Sequence, residues 1–109
     1  MRRVVVTGIG ATTPLGGDVA SSWANLLAGK SGISTLEQEW VARHELPVTF
    51  AGQAKVAATE ILTPQEAKRL DPSSQFALIA ARQAWEDAGS PEVEPERLAV
   101  DFATGIGGV

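Results

Sequence analysis

The sequence contains no cysteine and a single histidine in 109 residues. The first absence excludes a disulfide framework, a thiolate metal site and a cysteine nucleophile within these residues. The second excludes any chemistry that needs two imidazoles. His44 has no carboxylate or cysteine at a ligand spacing, so it reads as filler rather than as a ligand or base. Long apolar runs are also missing. Val4-Val5-Val6 breaks at Thr7-Gly8, too soon for a signal-peptide core, and nothing approaches the roughly 20 residues of a membrane span. A basic face is missing too. The net charge is -4, and the stretch 85–101 holds six acids against one base, so the chain is a poor candidate for binding nucleic acid. Those acids read as solvated surface. A reducing, cytoplasmic location is the expectation.

What is present is a globular composition, 44% hydrophobic and 20% charged. The length allows one small domain or a piece of a larger one. Residues 3–7, Arg-Val-Val-Val-Thr, read as a buried strand closed by Gly8. After a glycine-rich turn, Asp18 is placed to cap a helix whose Val19, Trp23, Leu26 and Leu27 share one face, and Gly29 stops it. Residues 30–45 give no firm pattern. Residues 46–50 resemble a short edge strand, since Pro47 cannot donate to a ladder.

Thr63-Pro64-Gln65-Glu66 carries three agreeing helix-start signals: a cap, a first-turn proline and a capping-box glutamate. That helix should run to about Leu70. Asp71-Pro72 opens a stronger helix with a broad stripe of Phe76, Ala77, Ala80, Ala81, Ala84, Trp85 and Ala88, ended by Gly89. So many alanines imply close packing against a sheet or another helix. Residues 98–104 read as a second buried strand, leading into Gly105-Ile106-Gly107-Gly108-Val109. The order is that of an α/β fold with parallel, helix-covered strands. A buried strand that runs into a glycine turn at the end of the chain reads as the front piece of something larger.

Four motifs could carry chemistry. Thr7-Gly8-Ile9-Gly10 stands between a strand and a helix, where a phosphate-binding turn belongs. Its third glycine is Thr13, the helix starts late, and no acid closes a second strand. A turn whose glycines admit close packing is the better reading. His44 is the second motif, weighed above. The third is Lys68-Arg69, at the end of a helix: either a solubilising pair or a dock for an acidic partner. The fourth is Gly105-Ile106-Gly107-Gly108, either a plain turn or an apolar side chain on a bending backbone at the carboxyl end of a strand, where ligands bind in α/β sheets.

Taken together these segments resemble a known family. They are the opening Arg2 to Gly10, Pro14-Leu15-Gly16, Trp23, Leu26 to Ile33, Arg69-Leu70-Asp71, Ala84 to Gly89 and Thr104 to Gly108. In this order and spacing they are similar to the start of the β-ketoacyl-acyl-carrier-protein synthases of type II fatty-acid synthesis, and also to polyketide ketosynthases. The resemblance covers the whole chain and about the first quarter of such an enzyme. It implies the N-terminal part of a thiolase-like fold (layered αβαβα), incomplete in this chain, and a homodimer. It implies decarboxylative condensation of malonyl-acyl-carrier protein with an acyl group held on a cysteine, assisted by two histidines, without metal or organic cofactor. Those catalytic residues fall outside residues 1–109, so the segment alone should be inactive. It implies that Ile106, with Gly107, lines the acyl pocket, and that Lys68 and Arg69 contact the acidic carrier protein. Three positions depart from the family pattern: Gln65 where some relatives are basic, Ala103 where glycine is common, and Asp101 in an otherwise apolar strand. Two other readings remain: a non-catalytic chain-length partner subunit, and a nucleotide-binding reductase domain.

Overall fold

In the computed structural model, which describes residues 1–108, helices dominate. The order is α1 (Val19–Leu27), β1 (Ile33–Thr35), α2 (Glu39–Arg43), β2 (Phe50–Gly52), α3 (Ala58–Ile61), α4 (Pro64–Arg69) and α5 (Pro72–Asp87), with a 3-10 turn at Pro95–Arg97.

The helix boundaries follow from local chemistry. Asp18 Oδ1 accepts the Ser21 amide at 2.7 Å and so satisfies one of the free N–H groups at the start of α1. At the other end the Gly29 amide reaches the Leu26 carbonyl and the Lys30 amide reaches that of Asn25, with Gly29 at φ +69°. α5 ends in the same way, with bonds from Gly89 to Glu86 and from Ser90 to Trp85, and φ +84° at Gly89. Both are Schellman closures, which need a left-handed residue after the last turn. α4 has a complete capping box: Thr63 Oγ1 accepts from the Glu66 amide at 3.3 Å, and Glu66 Oε2 accepts from the Thr63 amide at 3.0 Å. Asp71 then caps α5 through the Ser74 amide.

The core sits where α3, α4 and α5 meet. Ala58, Leu62 and Ile79 are buried there, backed by Ala67 and Leu78. The Gln75 side-chain amide donates to the carbonyls of Ala67 and Leu70, at 2.9 and 3.0 Å, and so locks the turn between α4 and α5. Ile79 is the one buried residue of α5 and stands outside the stripe expected from the sequence; Phe76 and Trp85 in that stripe are 37% and 40% exposed.

The strands depart from expectation. The one sheet among the described residues pairs β1 with β2, antiparallel, with Ser34 opposite Ala51. β1 lies in the stretch that gave no sequence signal. β2 starts at Phe50 rather than running from 46 to 50, because Pro47 has no amide to give and only the Leu36–Thr49 bond extends the ladder that way. Residues 3–7 and 98–104 form no strands. Val4, Val5 and Val6 are 96%, 72% and 80% exposed, and Val100 is 81% exposed. Their β-branched side chains suit a strand, but a ladder needs neighbouring backbone, and none is paired with them. The parallel sheet is therefore not formed among the described residues, and Val109 lies outside them.

Two sizes express this openness. The Cα radius of gyration is 16.9 Å, against about 13 Å for a compact domain of this length. The accessible surface is 9016 Å², about 3,200 Å² more than a compact monomer of this mass exposes.

Candidate functional site

The site grows from the corner between α4 and α5. Thr63 and Pro64 fix where α4 begins, and six residues later Lys68 and Arg69 fall in its last turn. There the helix dipole favours cations. Both side chains are exposed, and neither forms an ion pair among the described residues. Arg82 on α5 is nearby but committed. Its Nη2 donates to Glu66 Oε1 at 2.5 Å. That bond from Arg82, with the Thr63 amide second, lowers the Glu66 carboxyl to about 2, and Glu66 in turn raises the guanidinium. Glu66 thus engages Arg82, while Lys68 and Arg69 form no ion pair among the described residues.

The glycine loop arrives at the same corner. The Gly107 amide donates to Thr104 Oγ1 at 3.2 Å, and Gly107 takes φ +69°. Gly108 presses on the Asp71 carboxyl group, where a Cβ would overlap it. Asp71 lies two residues beyond Arg69. Hydrogen bonds from Ser74 and then Ser73 hold its carboxyl below the usual carboxylate range, so it stays anionic as the cap of α5. The structure therefore brings the two candidate features, the basic pair and the glycine loop, to one place.

A groove of about 500 Å³ runs beside that corner, lined by Thr12, Ser73, Ala77, Ala80, Phe102 and Thr104 among others. Ala103 is among its lining residues. Ile106 stands outside this lining, 78% exposed on the next turn of chain. Asp101 is also exposed, so its charge costs nothing in desolvation here.

Other candidates do not join the site. His44 caps α2 and is exposed, far along the chain from this corner. No group of three metal-ligating side chains occurs among the described residues. The Gly8–Gly10 turn does not sit at a helix N-terminus. The Ile9 amide is taken by Asp87 Oδ2 at 2.9 Å and the Ala11 amide by Gln83 Oε1 at 3.1 Å. A carboxylate stands where a phosphate would have to, which excludes the nucleotide reading. Close packing accounts for the glycines: a Cβ at Gly8 would overlap the Ala84 carbonyl, and one at Gly10 that of Ala80. Sequence reasoning missed Gln83 and Asp87. The available signal was two side-chain acceptors four residues apart on α5, beside the alanine stripe.

Comparison with known proteins gives this corner its context. A family model described as beta-ketoacyl synthase, N-terminal domain, matches residues 1–109. The chain is 40% identical over 104 residues to the 3-oxoacyl-[acyl-carrier-protein] synthase 2 of Mycobacterium tuberculosis, covering 95% of this chain and 25% of that protein. It is 37% identical over 111 residues to the proteins of the same name from Coxiella burnetii and Staphylococcus aureus, covering 99% of this chain and 26% of each. The chain thus spans about a quarter of the length of the curated relatives it matches. A family match over residues 1–109, with 40% identity to a curated relative over 95% of the chain, shows that the chain belongs to the N-terminal domain family of the β-ketoacyl synthases.

Proposed function

We propose that the chain is the N-terminal segment of a 3-oxoacyl-[acyl-carrier-protein] synthase that lengthens acyl chains in fatty-acid biosynthesis. The reaction is decarboxylative Claisen condensation with malonyl-acyl-carrier protein. The observation that carries this reading is the identity of 37–40%, across 95–99% of the chain, to proteins of that name. No observation favours the polyketide synthase or the non-catalytic chain-length partner. The nucleophilic cysteine and the histidines of such an enzyme lie outside these residues, since the chain has no cysteine and one exposed histidine. Residues 1–109 by themselves should release no carbon dioxide from malonyl-carrier protein; turnover above background would contradict this.

The acyl carrier protein is the proposed partner, and Lys68 with Arg69 its docking pair. Their exposure, and the lack of an ion pair to either among the described residues, support this, because a cation already paired gains little from a second acidic surface. Ile106 and Gly107 are proposed to border the acyl pocket, the isoleucine swinging on the glycine hinge beside the groove. The thiolase-like layering, the homodimer and the cytoplasmic setting belong to the same reading. The surplus surface of about 3,200 Å² is as large as a big permanent interface buries, which suits a segment covered by further chain and a second subunit. Among the described residues, no helix is long and apolar enough to cross a membrane.

The decisive experiment is Lys68→Glu combined with Arg69→Glu in the full-length synthase. Affinity for carrier protein should fall about tenfold or more at low salt, and the gap should close as salt screens the pair. Unchanged affinity at low salt removes the docking assignment.

A further inference from the structure

The turn that follows the first segment is bolted to α5 by a spacing match. In extended backbone, residues two apart are separated by about 6.6 Å; on a helix, residues four apart are separated by about 6 Å. Gly8 lies over Ala84 and Ala88, and Gly10 over Ala80 and Ala84. The intervening amides follow the same rule: Ile9 to Asp87 and Ala11 to Gln83, two residues along the turn against four along the helix. Gln83 does more than accept. Its Nε2 donates to the Gly17 carbonyl at 2.8 Å while its Oε1 takes the Ala11 amide at 3.1 Å. One side-chain amide, half buried, therefore ties both ends of the Ala11–Gly17 turn to the middle of α5. Ala11 and Thr12, at the start of that turn, line the 500 Å³ groove together with Phe102 and Thr104.

We propose that this groove, next to Ile106, takes the acyl chain and that Gln83 is a positioning residue for it: by clamping Ala11 and Gly17 together it sets the part of the lining that Ala11 and Thr12 supply. The role demands one acceptor and one donor on the same planar group at this reach, which the glutamine amide supplies and neither a carboxylate nor a thioether does. A carboxylate keeps the Ala11 bond but turns a second oxygen on the Gly17 carbonyl. A thioether keeps the length and loses both bonds. Asp87 cannot substitute, since it holds Ile9, one step before the groove wall.

This inference rests on the proposed synthase reading, and the experiment separates the two. In the full-length synthase, condensation is measured with acyl-carrier proteins of graded chain length for wild type, Gln83→Met, Gln83→Glu and Ile106→Phe. The expected result is a change in preferred acyl length for both Gln83 variants. The ratio of acyl KM to malonyl KM should rise about fivefold in Gln83→Met and less in Gln83→Glu, which retains the Ala11 bond. A merely structural role would lower turnover with both substrates in step and leave that ratio unmoved. An unmoved ratio and profile in a folded Gln83→Glu, checked by near-ultraviolet circular dichroism, overturns the proposal even where Gln83→Met does not fold. A profile moved by Ile106→Phe but by neither Gln83 variant overturns it with the pocket reading intact. Absence of condensation by the wild type overturns the synthase reading itself.

Discussion

Helices α4 and α5 and the two outer segments, 3–7 and 98–104, all carry clear sequence signals, yet only the helices form, joined by an α3 that the sequence did not announce. The difference is where each signal finds its partners. A capping box is closed by residues three apart, and a Schellman closure by residues five apart. Every group that α4 and α5 need at their ends lies within a few residues of the need. A strand is satisfied only by another strand, and a parallel one only by a segment far along the chain. The apolar side chains of 4–6 and 98–102 are thus ready for a sheet and remain exposed.

The largest effect should come from the place where the turn after segment 3–7 crosses α5. Gly10→Ala would push a methyl group into the Ala80 carbonyl and the Ala84 amide, backbone atoms that cannot turn aside. A loss of about 3 kcal/mol is expected, at the upper end of overpacking costs, read as a lower urea midpoint. Gly105→Ala, with nothing within 4 Å of the added Cβ, is the control and should change the midpoint little. Equal effects at the two glycines would break the comparison, because the crossing of Gly8–Gly10 over α5 would then not be a fixed contact.

Next in size is the core. Ile79 is 3% exposed and packs with Ala58 and Leu62. Ile79→Ala should cost about 2 kcal/mol, the lower end of the range for deleting a buried branched side chain, because this core is small and its rim can close in. Phe76→Ala, at a position 37% exposed, should cost less despite the larger side chain. The opposite order would mean that the alanine-flanked stripe, not the α3–α4–α5 junction, is the centre of the fold.

These two tests also mark what the sequence could and could not reveal. The helix starts at Asp18, Thr63 and Asp71 and the stops at Gly29 and Gly89 were legible because each is decided locally. Ile79 was not, because α5 buries the face toward α3 and leaves half of its periodic stripe to the Gly8–Gly10 crossing. β1 was not, because Ile33-Ser34-Thr35 is three residues long and exposed throughout, so no alternation can appear. At the site, Lys68-Arg69 and the glycine loop could each be picked out, but not their meeting through Gly108 and Asp71, which joins residues far apart in sequence. Gln83 stayed hidden because a glutamine on a helix carries no pattern until its two backbone partners are known.

A smaller effect should follow pH. Glu66 links the capping box to Arg82, and its carboxyl is lowered to about 2 in the folded chain from an ordinary 4.5. The unfolded chain therefore takes up a proton first as the solution is acidified. The contribution of Glu66 is fully present above the unfolded value and is lost as pH falls toward 2. Glu66→Gln should flatten the stability curve in that window and leave its shape near neutrality alone. A curve of unchanged slope between about pH 4.5 and 2 would mean that the exposed Arg82–Glu66 pair is too well screened to matter.

The smallest effect belongs to the outer segments, and it is the sharpest test of the contrast. Val100 is 81% exposed and its backbone joins no ladder, so within residues 1–109 its side chain has almost nothing to lose. Val100→Thr exchanges a methyl group for a hydroxyl at nearly the same volume and should shift stability by less than about 0.5 kcal/mol, as at any open surface position. In the full-length synthase, where the proposed layering would bury residues 98–104 in a sheet, the same exchange places an unpartnered hydroxyl in an apolar layer and should cost about 1–3 kcal/mol. Equal and small effects in both settings would mean that the segment stays exposed in the larger protein, and the layered fold would have to be built without it. A large effect in the short chain alone would mean that 98–104 already holds a partner, and the distinction between the corner and its outer segments would fall.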